Sequence, residues 1–228
     1  MKTKLMFCTL AMVTLAFAAQ ESIKLERKYK EGEKDVYKIA MQMNMGGDVN
    51  VTLKTTQTVK KVFENGDADI ESASSDLKVN FNNQEMSPPA QPPSVARYNK
   101  NGMPIGVKAN KGRGQMNMSF MRYAFAFTDK AFKVGETIPI DFTDPANAKD
   151  KVTGTVKVDS LENGVAKFIA NLDIRNEDTG DKPMKVAITS WVDVASSKPN
   201  KVTGTVSNIT GPQGMQIEGV QLSIERVK

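Results

Sequence analysis

The chain has 228 residues, of which 39% are hydrophobic and 25% charged, with a formal net charge of +5, one cysteine and no histidine. The missing histidine removes the commonest general base and metal ligand, and with it the Ser-His and Cys-His nucleophile pairs. A single cysteine excludes an internal disulfide, so the fold depends on its own hydrophobic core, which a chain of this length can build.

Lys2 and Lys4 precede an apolar run from Leu5 to Ala18 that closes in Ala16-Phe17-Ala18, the pattern of a secretory signal peptide over residues 1–18. Cys8 falls inside that run behind Phe7, where lipid attachment needs a small residue, so it reads as a passenger. No later stretch approaches the roughly 18 consecutive apolar residues of a membrane span. Removal of the signal leaves 210 residues (228 − 18) and a charge of +3 (+5 − 2) without a basic run, which argues against nucleic acid as a partner. The expectation is one β-rich domain over 19–228, periplasmic or extracellular, with a split at the Pro-rich loop 86–97 as the alternative.

In chain order, Ile23 to Tyr29 reads as a modest strand and Glu31-Gly32-Glu33 as a turn. Tyr37, Ile39, Met41, Met43 and Met45 alternate with Lys38, Gln42 and Asn44 in a clear strand. Gly46-Gly47-Asp48 reverses the chain into a Thr-rich strand that Asn65-Gly66 ends with a strong hairpin signal. In the partner strand, Ala68 to Phe81, the apolar parity slips, which predicts a bulge near Ser74-Ser75. Met86 to Pro93 holds four prolines and reads as a crossing loop. Tyr98 to Gly102 marks another hairpin. Further on, Pro139 predicts an edge strand, and Asn163-Gly164 joins Lys151–Asp159 to a strand with Ala166, Phe168, Ala170, Leu172 and Ile174 inward. Met184–Val194, Lys201–Ile209 and the segment after Gly214 supply further strands, the last with a bulge expected at Gly219. The hexapeptide KVTGTV occurs at Lys151–Val156 and again at Lys201–Val206. Two copies are too few for a solenoid, and each is expected to open a similar antiparallel hairpin with Gly154 and Gly204 at equivalent bends.

The segment Gln115 to Val134 stands out by its density of Met and aromatic side chains without Gly or Pro. As a helix it carries Met116, Phe120, Tyr123, Ala124, Phe127 and Ala131 on one stripe and Met118, Met121, Phe125 and Phe132 on a second. The alternation of Met116, Met118 and Phe120, and of Tyr123, Phe125 and Phe127, fits two short strands almost as well.

The chemistry that these residue types offer is limited. The tetrapeptide Gln-Met-Asn-Met at 42–45 and 115–118 supplies soft thioethers for Cu(I), but adaptable core filling is the plainer reading and no metal site is assigned. Asp67, Asp69 and Glu71 lack the spacing of a calcium loop and read as a solvated strand face. Ser75-Asp76-Leu77-Lys78 matches Ser-x-x-Lys by chance, without its companion motifs. Lys111-Gly112-Arg113-Gly114 has no phosphate-loop spacing. Asn50, Asn117 and Asn208 begin glycosylation sequons that matter only in a eukaryotic source. No catalytic residue and no cofactor are expected. The site residues singled out are Met116, Met118, Phe120, Met121, Phe125, Phe127, Phe168 and Trp191, as the lining of a pliable apolar cavity.

Tyr29-Lys30-Glu31-Gly32-Glu33 before a long strand, Val62 to Ala68 at a hairpin and Phe132-Lys133-Val134-Gly135-Glu136-Thr137 after the central segment resemble a group of secreted bacterial proteins similar to the lipoprotein-carrier and mycobacterial lipoprotein half-barrels. The resemblance covers nearly all of the mature chain in outline and implies a curved antiparallel sheet wrapped around a helix, with an apolar cavity that takes acyl chains. The fold expected is therefore mainly β, an antiparallel open barrel or half-barrel of about ten strands with one central helix. The function expected is non-enzymatic binding of a lipid or other apolar ligand. The alternative is an envelope or extracellular interaction module that docks on a partner protein.

Overall fold

The computed structural model describes residues 22–89, 92–107, 130–144, 148–175, 182–210 and 216–227. Residues 1–18, read from the sequence as a signal peptide, and the segment carrying Met116, Met118, Phe120, Met121, Phe125 and Phe127 lie outside those residues.

Among the described residues the chain forms strands and no helix. They are β1 (Ser22–Ile23), β2 (Lys34–Asn44), β3 (Asp48–Val62), β4 (Ala68–Phe81), β5 (Gln84–Met86), β6 (Ser94–Tyr98), β7 (Pro104–Val107), β8 (Phe132–Lys133), β9 (Thr137–Thr143), β10 (Lys151–Glu162), β11 (Val165–Arg175), β12 (Met184–Asp193), β13 (Lys198–Thr210) and β14 (Gln216–Val227). Twelve of these form one antiparallel sheet in the order β7-β6-β4-β3-β2-β14-β13-β12-β11-β10-β9, with β5 attached to β4. The sheet is not closed. It consists of two meanders joined where β2, the first strand of one, pairs with β14, the last strand of the other, from Val220↔Met43 to Val227↔Val36. Strands on both sides of the Pro-rich loop belong to this sheet, because β4 pairs with β6 from Ala68↔Tyr98 to Ser72↔Ser94.

Period-two patterning gives the sheet one apolar and one polar face. Tyr37, Ile39, Met41 and Met43 of β2 share the inner face with Val220, Leu222 and Ile224 of β14, Val202 and Val206 of β13, and Val186 and Ile188 of β12, all of them buried. The methionines that raised the question of copper, Met41 and Met43, are packed into this cluster.

The repeated hexapeptide is a repeated structure. In β10–β11 Gly154 lies opposite Leu172 and Val152 opposite Ile174, while in β13–β14 Gly204 lies opposite Leu222 and Val202 opposite Ile224. Ile140 of β9 and Ile188 of β12 flank the two glycines on their other side. A Cβ at Gly154 would collide with the Asn171 carbonyl oxygen and come within 2.9 Å of the Leu172 Cα; at Gly204 it would collide with the Ala187 carbonyl oxygen and come within 2.8 Å of the Ile188 Cα. The neighbouring backbone occupies the space where a side chain would begin, so both positions require glycine.

Several sequence expectations are met: the turns at Gly32, Gly46, Gly66, Gly102, Gly135 and Gly164, each with positive φ, and β9 as an edge strand. The parity slip in β4 is a register shift opposite Thr52/Lys54, with Asp76 at φ 53. Three expectations need correction. The end of the segment read as a helix to Val134 is instead β8, because Phe132 pairs with Ile23 and stacks edge-on against Phe168 with ring centroids 5.2 Å apart. Gly219 is not a bulge: the β13–β14 register does not shift at it, and the irregular residue is Asn208 on the facing strand, next to Gly219's partner Ser207, at φ 59. Finally, of the strand expected at Ile23–Tyr29 only β1 joins a ladder. The rest is a strap. Its Glu26 N–H donates to Ser197 Oγ at 3.0 Å, its Arg27 N–H to the Lys100 carbonyl at 2.7 Å and its Tyr29 hydroxyl to the Asn99 carbonyl at 3.0 Å. The strap thereby links β8 to the β6–β7 turn and buries Ile23, Leu25 and Arg27.

Candidate functional site

On β3 and β4 the inner face changes character. Val51, Leu53 and Val79 pack against the main core while remaining only half-buried. One step along the strands, Thr55 lies opposite Ser74 and Gln57 opposite Ser72, again half-buried. These four polar side chains form a belt between the Val51/Leu53/Val79 patch and a small apolar cluster of Val59, Ala68 and Ile70. A half-barrel sealed along its whole length would have branched apolar residues at these positions; hydroxyls and an amide are tolerated where polar partners can reach them.

The belt ends on β2 beside a group of charged and phenolic side chains. Lys198 Nζ donates to Glu33 Oε1 at 2.8 Å and to Asp35 Oδ2 at 2.5 Å, with the lysine side chain only 13% exposed. Arg27, Tyr29, Gln57 and Lys198 line one small cavity with Glu33 and Asp35. Burial pushes the Tyr37 hydroxyl up to about 12, although the nearby Arg27 opposes that shift. Burial also raises Tyr29, again against Arg27. Both phenols therefore stay protonated at neutral pH, and the Tyr29 hydroxyl donates to the Asn99 carbonyl. The site combines a half-open apolar patch, a hydroxyl and amide belt, and a buried guanidinium.

Of the residues singled out in the sequence, Phe168 and Trp191 are described, and the sheet separates them. Phe168 lies opposite Ser190 and packs among Ile23, Phe132, Val158 and Val192 on the inner face. Trp191 has the opposite parity, lies between Lys167 and Lys201, and is half-buried on the outer face. Its parity with Lys185 and Thr189, against Val186 and Ile188, carried that information. The polar belt was missed because Thr55, Gln57, Ser72 and Ser74 read individually as solvent-facing residues; only the pairing with Tyr37 and Asp35 of β2 turns them inward. The acidic run reads as expected: Arg97 donates to Asp69 at 2.8 and 3.3 Å, and Lys60 pairs with Glu71 at 3.5 Å.

No family model and no curated protein sequence matches this chain. Among solved structures it is similar to a candidate lipoprotein of Parabacteroides distasonis at 9% identity, covering 91% of this chain and 98% of that one with a TM-score of 0.34. It is also similar to a DUF1329 family protein of Desulfovibrio piger at 10% identity, covering 86% and 85% with a TM-score of 0.25. At such scores the likeness carries no weight in assigning a function, which rests on the geometry of the sheet.

Proposed function

We propose that this is a secreted, non-enzymatic protein that binds a lipid or other amphipathic molecule against the inner face of its open sheet. The observation behind this reading is the passage of that face from fully buried on β10–β14 to half-open on β3–β4, with apolar side chains and a polar belt side by side. An acyl chain suits Val51, Leu53 and Val79, and a polar head suits Thr55, Gln57, Ser72 and Ser74. Pockets of this type, mostly apolar with a few placed polar groups, are the usual form of small-molecule sites. Native mass spectrometry after gentle extraction, followed by titration with cis-parinaric acid, tests it. The expected result is saturable binding that falls at least tenfold in Leu53→Asp with the melting profile kept. A protein that is repeatedly empty and does not bind the fatty acid sinks the proposal.

One observation favours a second reading, an interaction module. Phe81 and Met86 are exposed near one another on the paired strands β4 and β5. Cross-linking on the native envelope then gives one dominant partner or a dimer, and monomer alone counts against it.

A further inference from the structure

A row of side chains crosses the outer face at right angles to the strands. Register places Lys167 beside Trp191, Trp191 beside Lys201, Lys201 beside Glu225, Glu225 beside Lys38 and Lys38 beside Lys54. Six adjacent strands contribute, so the row extends roughly 24 Å at about 4.8 Å per strand. It includes the only tryptophan of the chain.

Two features distinguish the row from an ordinary solvated face. First, Lys38 and Lys54 are direct cross-strand partners, a position in which like charges repel. Lys54 is held by Asp76 at 2.6 Å, but Lys38 makes no ion pair among the described residues. Second, the row borders a groove of about 330 Å³ floored by the next transverse row, Ser223, Ala40 and Thr52, with Lys78 at its end. Short side chains there leave a trough with hydroxyls on its floor, while its wall carries the ammonium groups of Lys38, Lys54 and Lys78 together with the carboxylates of Asp76 and Glu225. The carboxylates beside the other lysines, Asp159 on Lys167 at 2.8 Å and Glu225 on Lys201 at 3.0 Å, form surface pairs that another anion readily replaces.

We infer that this row and groove bind an extended acidic polysaccharide, with its carboxylates on Lys38, Lys54 and Lys201 and a sugar ring lying on Trp191. A polymer fits better than a bilayer, because the site is a narrow trough across the strands and not a projecting apolar surface. The charge row also steers a polyanion along its length. The inner-face site lies on the other side of the sheet, with Leu53 of that site and Ile39 also bordering the groove.

Trp191 fluorescence reads the interaction directly. Titration of the mature protein with polygalacturonate is expected to give a saturable change in emission that neutral dextran does not produce and that added salt weakens at least tenfold. Lys38→Gln/Lys54→Gln is expected to weaken it at least fivefold while melting no lower than the parent, since a like-charge pair is removed, and to leave cis-parinaric acid binding unchanged. Lys185→Gln, on the same face but off the row, is expected to bind like the parent. The inference is overturned by an absent response, by equal losses in the Lys185→Gln control, by an unchanged affinity in the double variant, or by a response to phosphatidylglycerol vesicles without one to polygalacturonate.

Discussion

The two halves of the sheet solve the same problem differently. On β10–β14 and β2 most inner residues are branched or bulky apolar side chains, with Gly154 and Gly204 set opposite leucines, and most are buried. On β3 and β4 the same face carries Thr, Gln and Ser in the middle of the strands, and Val51, Leu53 and Val79 beside them stay half-exposed, although Val59, Ala68 and Ile70 beyond the polar belt are buried. One continuous hydrogen-bonded ladder therefore spans a rigid scaffold and a looser arm. Binding surfaces are commonly drawn from the less stable part of a fold, because ordering and exchange of a ligand need regions that open at low cost.

Three substitutions or conditions test this division, beginning with the largest expected effect. Gly204→Ala forces a Cβ into the backbone of β12 and is expected to cost roughly 2–4 kcal/mol or to prevent folding. Gly219→Ala, whose Cβ meets only the Val206 carbonyl oxygen at 3.8 Å, is expected to fold normally, and expression with thermal melting of the pair checks both. Next, Leu222→Ala in the scaffold is expected to cost about 2–5 kcal/mol in chemical denaturation. Leu53→Ala on the arm should cost less than half as much, because its side chain is only partly withdrawn from water; equal losses would erase the distinction between the halves. The smallest effect concerns pH. Tyr37 has a folded value of about 12 against 10.0 for the free side chain, so above pH 10 the unfolded chain releases its proton first and stability falls between pH 10 and 12. The full loss is roughly 2–3 kcal/mol by pH 12. Tyr37→Phe should flatten the denaturation midpoint over that window, and a slope identical to the parent's would show that Tyr37 is not its source.

Local signals in the sequence carried most of the scaffold. Asn65-Gly66 and Asn163-Gly164 fix hairpins because positive φ is demanded at the glycines, and the repeated KVTGTV marks two hairpins with the same register. The slip of parity in β4 located a bulge to within a residue or two. What stayed hidden depends on long-range pairing. Nothing local to β2 and β14 states that they are neighbours, so the placement of Glu225 beside Lys38, and with it the continuous transverse row, emerges only once that register is known. The strap shows the converse failure: Ile23, Leu25, Arg27 and Tyr29 have the alternation of a strand, yet the same alternation lets an extended segment without a ladder bury alternate side chains across one end of a sheet. For Trp191 the alternation of β12 carries the signal, since its parity is that of Lys185 and Thr189.

The pairing of β2 with β14 has a kinetic consequence. Each meander forms from neighbours in the chain, but the seam between them waits for residues about 180 positions apart to meet, as Met43 and Val220 do. Until the last strand arrives, β2 presents an unpaired edge with Ile39, Met41 and Met43 along one side, the kind of surface on which chains associate wrongly. Deletion of β14 should therefore yield two separable, aggregation-prone meanders instead of a shortened sheet, and in the intact chain the first meander needs shielding until its last strand is delivered.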